Sequence, residues 1–348
     1  MTTHRWFDRL HIDPYLVAIV GMVALATVFP SRGAAAAGFS HASMAAVGLL
    51  FFLHGARLSR EAVWRGLSHW RLQLLILAGT FVLFPLLGLA ARGLVPGVLS
   101  PELYLGLLFL CTLPSTVQSS VAFTSIARGN VPAAVCAASA SSLLGLLITP
   151  LLVGLLMHSH GGVSLGGGVM GIVLQLFTPF LAGQLAQRWI GEWIGRHERI
   201  TGLVDRGSIL LIVYTAFSES VANGIWRQID LRGLLAVGLV DFVLLALVLT
   251  IMTFASRRLG FSREDEIAIV FCGSKKSLAS GVPMVNVLFP AQAVGMIVLP
   301  LMLFHQIQLM ICATLARRYL SQRGVSSDVS RHPYPTTDQN VAKVNIAR

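Results

Sequence analysis

Between residues 15 and 316 the chain is a succession of apolar runs joined by short polar connections, and no other feature limits its fold so strongly. The runs occupy residues 15–29, 39–56, 72–91, 103–127, 131–157, 168–186, 203–221, 231–254, 267–289 and 292–316, with ends good to a few residues. About 20 apolar residues in a helix cross the hydrocarbon of a bilayer. Most runs meet that length, and the first needs its flanking residues. A soluble domain would be roughly a quarter charged, whereas only 12% of this chain is charged and its mean hydropathy is +0.75. The fold class that follows is an all-α polytopic membrane protein of ten transmembrane helices.

The placement of basic residues gives an orientation. Only Arg32, Arg92, Arg227 and Arg232, in connections or at a run's edge, fall on one side of a ten-span arrangement. All other basic residues except Lys275 and Lys276 fall on the opposite side, from Arg5 and Arg9 through Arg57, Arg128, Arg196 and Arg257 to the tail. Basic residues stay cytoplasmic, so both termini are expected in the cytoplasm, in a cell (inner) membrane. The net charge of +11 is spread singly between apolar runs. The lipid bilayer is therefore the expected surrounding and no nucleic-acid partner is expected. The first forty residues look like a secretory signal, with Arg5 and Arg9 before an apolar run and Ala34 to Ala37 after it. They are read as a first span, because losing it would scramble the charge alternation and because Pro14 suits a helix start. Residues 1–320 form the membrane domain, and 321–348 read as a disordered cytoplasmic tail.

Ten spans divide into two sets of five, about 14–157 and 165–320. An odd number per set means that the second enters from the opposite side, which gives inverted repeats. The fourth span of each set then corresponds, and both carry a polar interruption. In the first it is Leu113-Pro114-Ser115-Thr116-Val117-Gln118-Ser119-Ser120, where proline removes an amide donor and clashes with the preceding turn. In the second it is Gly273-Ser274-Lys275-Lys276-Ser277, where glycine weakens the helix. An ammonium near the bilayer centre costs about 3 kcal/mol on insertion scales. Paired interrupted helices, one carrying buried charge, mark the binding site of a transporter.

The plainer reading of either lysine alone is a side chain snorkelling to an interface; both doing so is harder to arrange. If the helix breaks at Gly273, one amine can face a substrate while the other pairs with a carboxylate or with freed carbonyls. Asp241, mid-run in 231–254, is the natural counter-ion, either as structural support or in a proton path. Ser115, Thr116, Gln118, Ser119 and Ser120 can offer hydroxyl and carbonyl oxygens to an ion or a polar group. Ser139, Ser141 and Ser142 read first as small residues that let helices approach, and His305, Gln306 and Gln308 as helix-to-helix hydrogen bonders. His54 and Glu219 read as interfacial. The pair His158 and His160 is too small for a metal site, and the four cysteines lie in apolar runs without metal or disulfide spacing. No hydrolase elbow, phosphate loop or zinc motif is present, so an enzyme is not expected.

With these residues assembled, the chain resembles the bile acid:sodium symporter family in its divergent SBF-like branch. The resemblance rests on residues 113–121, on Ala127-Arg128-Gly129-Asn130 and on residues 273–281, and extends over roughly 6–319. It implies that the fourth and ninth helices are broken and cross at the centre. It also implies a core of helices 3–5 and 8–10 that moves against a panel of helices 1, 2, 6 and 7. The family's sodium ligands are mostly replaced here. Pro114-Ser115-Thr116 and Ser119-Ser120 stand for a Pro-Gly-Gly and a Ser-Asn pair, and Lys275-Lys276 stands near a Gln-Asn pair. Ala134 and Ala138 stand for a hydroxyl residue and a threonine, and Thr80 for a glutamine. A lysine ammonium repels sodium at such range, so the amine is expected in the space of a coordinated cation, holding the crossing together or binding an anion.

The sequence thus leads to a secondary active transporter of small organic anions working by alternating access. No bound cofactor is expected, and sodium or a proton remains as the coupling ion. The candidate substrate- or ion-binding residues are Thr80, Pro114, Ser115, Thr116, Gln118, Ser119, Ser120, Gly273, Ser274, Lys275, Lys276 and Ser277. A proton-coupled carrier, a uniporter and a non-transporting membrane regulator that keeps the fold are the alternatives.

Overall fold

The computed structural model describes residues 14–57, 69–157, 167–222 and 230–328. His158 and His160, the basic N-terminal residues and the tail beyond 328 lie outside them. The described elements are helical, and no strand occurs among the described residues. In chain order they are α1 (Pro14–Val28), α2 (Gly33–Arg57), α3 (Trp70–Ala78), α4 (Phe84–Ala90), α5 (Pro101–Thr112), α6 (Gln118–Ile126) and α7 (Val131–Met157). There follow α8 (Gly167–Arg196), α9 (Glu198–Ala222), α10 (Leu231–Arg258), α11 (Arg263–Gly273), α12 (Leu278–Leu288) and α13 (Ala291–Asp328). A π-helical turn, Gly79–Leu83, joins α3 to α4.

Local chemistry sets several of the ends. Ser100, Asp230, Ser262 and Ser277 each cap a helix by accepting a backbone N–H three residues on. Glu264, Asp265 and Glu266 add negative charge to the first turn of α11, where the helix dipole favours it. The helix α13 runs on to Asp328, into the stretch expected to be a disordered tail. Once a helix has nucleated over an apolar run, extending it fixes only one residue per added hydrogen bond.

Six of the described helical stretches are each long and apolar enough to cross a membrane: Gly33–Arg57, Trp70–Leu94, Val131–Met157, Arg199–Glu219, Leu231–Arg258 and Gln292–Gln322. The runs 103–127 and 267–289 are divided between α5 and α6 and between α11 and α12, and α1 is short. Helix α10 shows what surrounds the molecule. Its inward face carries Val237, Leu244, Leu245, Val248 and Met252, and its outward face Leu235, Leu239, Phe242, Val243 and Leu247. A helix that is apolar on every side is at home in hydrocarbon.

Helices α1, α2, α8 and α9 pack chiefly on one another. Ser43 Oγ donates to Thr215 Oγ1 at 2.8 Å between α2 and α9, and Arg57 pairs with Asp205 at one end of the same contact. Helix α11 packs on α3, α6, α7 and α10, and α12 packs on α13 and also reaches α8 and α9. The two interruptions therefore lie in the interior.

Candidate functional site

Both interruptions are real breaks, and the sequence explains each. Helix α5 stops at Thr112 because Leu113 turns extended (φ −73°, ψ 153°) before Pro114, as a residue preceding proline does. Four residues later α6 begins. Helix α11 stops at Gly273, and α12 restarts under the Ser277 cap. The helix ends at Gly273, where the sequence weakens it, and its backbone stays at negative φ. What it supplies is space: a Cβ there would collide with the Met252 methyl of α10.

The two breaks are bonded to each other. Ser277 N donates to Pro114 O at 2.9 Å, Ser115 Oγ to Cys272 O at 2.6 Å, and Ser120 Oγ to Phe271 O at 3.1 Å. Unwinding inside an apolar interior frees backbone groups that must find partners, and neighbouring side chains supply them. Ser115 N donates to Ser141 Oγ at 3.0 Å, and Thr149 Oγ1 donates to Thr112 O at 2.8 Å. Gln308 serves Lys276 twice, accepting from its N–H and donating to its carbonyl, both at 2.9 Å. A further Gln308 hydrogen meets His305 Nδ1 at 2.9 Å.

Lys276 carries the most complete of these arrangements. Its Nζ donates to Thr80 O at 2.8 Å, Cys111 O at 2.9 Å and Leu113 O at 2.7 Å, so all three ammonium hydrogens have carbonyl acceptors. Each carbonyl is free for a local reason. The Phe84 N–H bonds Gly79 O in the π turn and Pro85 has no N–H, so the Thr80 carbonyl has no amide from its own helix. The amide of Ser115, which would otherwise cover Cys111 O, has gone to Ser141, and Leu113 has left the helix. The carbonyls mark the negative end of α5, where a cation is favoured. The Phe84 ring lies 4.1 Å from Nζ. One side chain thus ties α11–α12 to the end of α5 and to the π turn between α3 and α4.

Lys275 is different. It is fully buried, and its Nζ has no hydrogen-bond partner. It stands 3.9 Å from the centre of the Phe123 ring and 5.5 Å from that of Phe271. The expected counter-ion does not meet either lysine. Asp241 is buried in α10, but both its oxygens are without a partner, while Lys276 is taken up by carbonyls and Lys275 by aromatic faces. Asp241 projects from the inward face of α10, the helix whose Met252 reaches the break.

Of the other expected site residues, Pro114, Ser115, Ser120 and Ser277 are brought together at the contact between the breaks. Thr80 takes part through its carbonyl rather than its hydroxyl, which bonds Ile76 O within its own helix. Ser274 Oγ turns back to Val270 O at 2.6 Å, and Thr116 Oγ1 bonds Ser119 Oγ at 2.8 Å. Gln118 is exposed. Ser141, Thr149 and Gln308 are structural parts of the crossing that the sequence reading placed only as helix-packing residues or passed over. Phe84 and Phe123 were invisible among the many apolar positions.

A second cluster closes the end of α11. Asn130 Nδ2 donates to Asp265 Oδ1 at 2.7 Å and Asn130 N to Glu264 O at 2.9 Å, following the Arg128 turn at φ 56°. The Ala127-Arg128-Gly129-Asn130 signature is therefore a clasp between α6 and α11. Beside it, Glu266 accepts two bonds from Arg257 (2.9 and 3.0 Å), one from Arg263 (2.7 Å) and one from Tyr319 Oη (3.0 Å). Burial pushes the Glu266 carboxyl up, but the bonds from Arg257 and Tyr319 and the nearby Arg263 charge outweigh it and hold the group below the ordinary carboxylate value.

Comparisons with known proteins place the chain among transporters. "Uncharacterized protein PA2026" of Pseudomonas aeruginosa is 57% identical over 312 residues, covering 89% of this chain and 94% of that one. "Putative symporter YfeH" of Escherichia coli K12 is 54% identical over 311 residues, with the same coverage. "Sodium/bile acid cotransporter 7" of Xenopus tropicalis is 28% identical over 340 residues, covering 94% of this chain and 98% of its own. The profile of one transporter family matches residues 13–321. With that match and the apolar helices described above, the chain is a multi-pass membrane protein belonging to the SBF-like CPA transporter family.

Proposed function

We propose that the protein is a secondary active carrier of small organic anions in the inner membrane, working by alternating access around the contact between the two breaks. The observation that carries the reading is the Lys276 ammonium, held by carbonyls from the π turn and from the end of α5 at the bonded breaks. In this reading the ammonium does what a coordinated metal cation does. It neutralises the negative end of a half-helix and holds unwound backbone at membrane depth. Three converging carbonyl oxygens at hydrogen-bond distance form a cation site, and the side chain brings its own cation. Sodium at the same oxygens would face the ammonium at a few ångströms, so transport is expected to run without sodium there, with a proton or no ion as the coupling partner.

Ten spans in two inverted sets of five belong to the same proposal. In its support, each of the ten apolar runs is occupied by one helix or by a helix pair, and the breaks fall at corresponding places in the two sets. The packing of α1, α2, α8 and α9 on one another is what a panel moving against a core would need. Both termini are placed in the cytoplasm from the arginine distribution.

The test is uptake by proteoliposomes of radiolabelled cholate, because a relative is named a sodium/bile acid cotransporter, alongside simpler carboxylates. Uptake above empty vesicles that persists when choline replaces sodium is expected. A protein that takes up none of them and copurifies with a stable partner would instead fit a non-transporting regulator.

A further inference from the structure

Lys275 and Lys276 are neighbours in sequence and equally buried, yet their ammonium groups are in opposite situations. Lys276 Nζ has no hydrogen left over, since its three donors meet three carbonyls. Lys275 Nζ has three donors and no acceptor. Around it are the faces of Phe123 and Phe271 and, within electrostatic reach, the thiols of Cys272 and Cys312. Aromatic faces attract a cation but offer no lone pair for a hydrogen bond, and a thiol is a weak acceptor. No carboxylate pairs with it among the described residues.

A fully desolvated ammonium without an acceptor is among the costliest groups to keep in an apolar interior. A methionine would fill the same slot between the rings without that penalty. Lys275 makes no bond that the fold uses, so stability does not account for it. What its surroundings lack is a lone pair, and a lone pair is what an anionic ligand brings. We infer that Lys275 is an anion-binding group: the carboxylate of a ligand supplies the acceptors its ammonium lacks, and Phe123 and Phe271 take the apolar part next to that carboxylate. Phe123 is only half-buried, on the helix that also exposes Gln118 and Ala122. The inference deepens the carrier reading and rests on it for the ligand being cargo, whereas binding itself requires no translocation.

The experiment uses the purified full chain in detergent and follows its melting temperature against rising concentrations of acetate, benzoate and cholate. Acetamide and benzamide serve as neutral counterparts. The carboxylates should raise the melting temperature of the wild type with the logarithm of concentration, and the amides should not. Lys275→Met and Lys275→Gln should both show no carboxylate shift. A shift retained in both variants overturns the inference, as does the absence of a shift for all three carboxylates in the wild type. Uptake by proteoliposomes is scored separately, so binding without uptake would refute the carrier reading and leave the anion site standing.

Discussion

Replacing Lys276 with methionine tests whether the ammonium holds the crossing together. The substitution keeps an unbranched apolar stem out to Cε and removes Nζ with its three bonds to Thr80 O, Cys111 O and Leu113 O. Hydrogen bonds to a charged group contribute about 1.5–3 kcal/mol in soluble proteins, and measured bonds between membrane helices reach at most about 1.7. About 1–2 kcal/mol each is therefore a fair range here, or roughly 3–6 for the three. The Phe84 contact adds about 1–2 kcal/mol when desolvated. Against this, removing a buried ammonium recovers about 3 kcal/mol on insertion scales. The net expectation is a loss of about 1–5 kcal/mol, largest if no neighbour moves to cover the exposed carbonyls. Lys275→Met should recover a similar ~3 kcal/mol while losing contacts with two rings, Phe123 and Phe271, at about 1–2 kcal/mol each, a net change near zero. The two neighbouring lysines should thus respond very differently, Lys276 with a loss and Lys275 with little change. The assay is thermal unfolding of detergent-purified protein followed by intrinsic tryptophan fluorescence. Melting of Lys276→Met at or above the wild-type temperature would refute the claim that its ammonium ties the breaks together.

Other perturbations probe the surrounding parts. Gln308→Leu removes both bonds to the Lys276 backbone and should destabilise by about 1–3 kcal/mol through unsatisfied backbone groups, read as a lower melting temperature. Ser141→Ala leaves the Ser115 amide without its acceptor and should cost about 1–2 kcal/mol, whereas Ser139→Ala should be silent in the same melt. Glu266 gives a pH signature. Its folded carboxyl lies below the ordinary value, so its contribution is complete above about pH 4.3 and is lost as pH falls through the lower folded value. Glu266→Gln should therefore lower the melting temperature near neutral pH and flatten its acid decline, and a variant that keeps the wild-type acid limb would contradict the cluster. Asp241→Asn keeps shape and removes a carboxyl that has no partner. It should melt at or slightly above the wild type, while a large loss of stability would reveal a bond to Asp241 that the structure does not contain.

Much of the framework was legible in the chain because membrane insertion writes itself into composition. Helix existence followed from apolar run length, and both breaks followed from residues that spoil a helix locally, Pro114 in one run and the Gly273 to Ser277 stretch in the other. The partners of the breaks were harder to see. Ser141, Thr149 and Gln308 find the freed backbone groups through tertiary contacts that no periodicity encodes. Thr80 was picked for its side chain, yet it contributes a carbonyl freed by a π turn next to Pro85, a local irregularity with little signature beyond the proline. Gly273 ends its helix as a glycine is expected to, and the space it leaves is filled by the Met252 methyl, which no local pattern encodes. Asp241 was matched to the lysines because opposite charges in apolar runs invite pairing. Position along a helix does not tell which neighbour's carbonyls will reach the ammonium first.

The most direct test of the account is the sodium dependence of ligand-induced stabilisation. Wild-type protein would be melted with and without cholate in sodium chloride and in choline chloride at equal ionic strength. If the Lys276 ammonium stands where a cation would be coordinated, the cholate-induced shift should be the same in both salts. A shift that requires sodium would contradict the central claim.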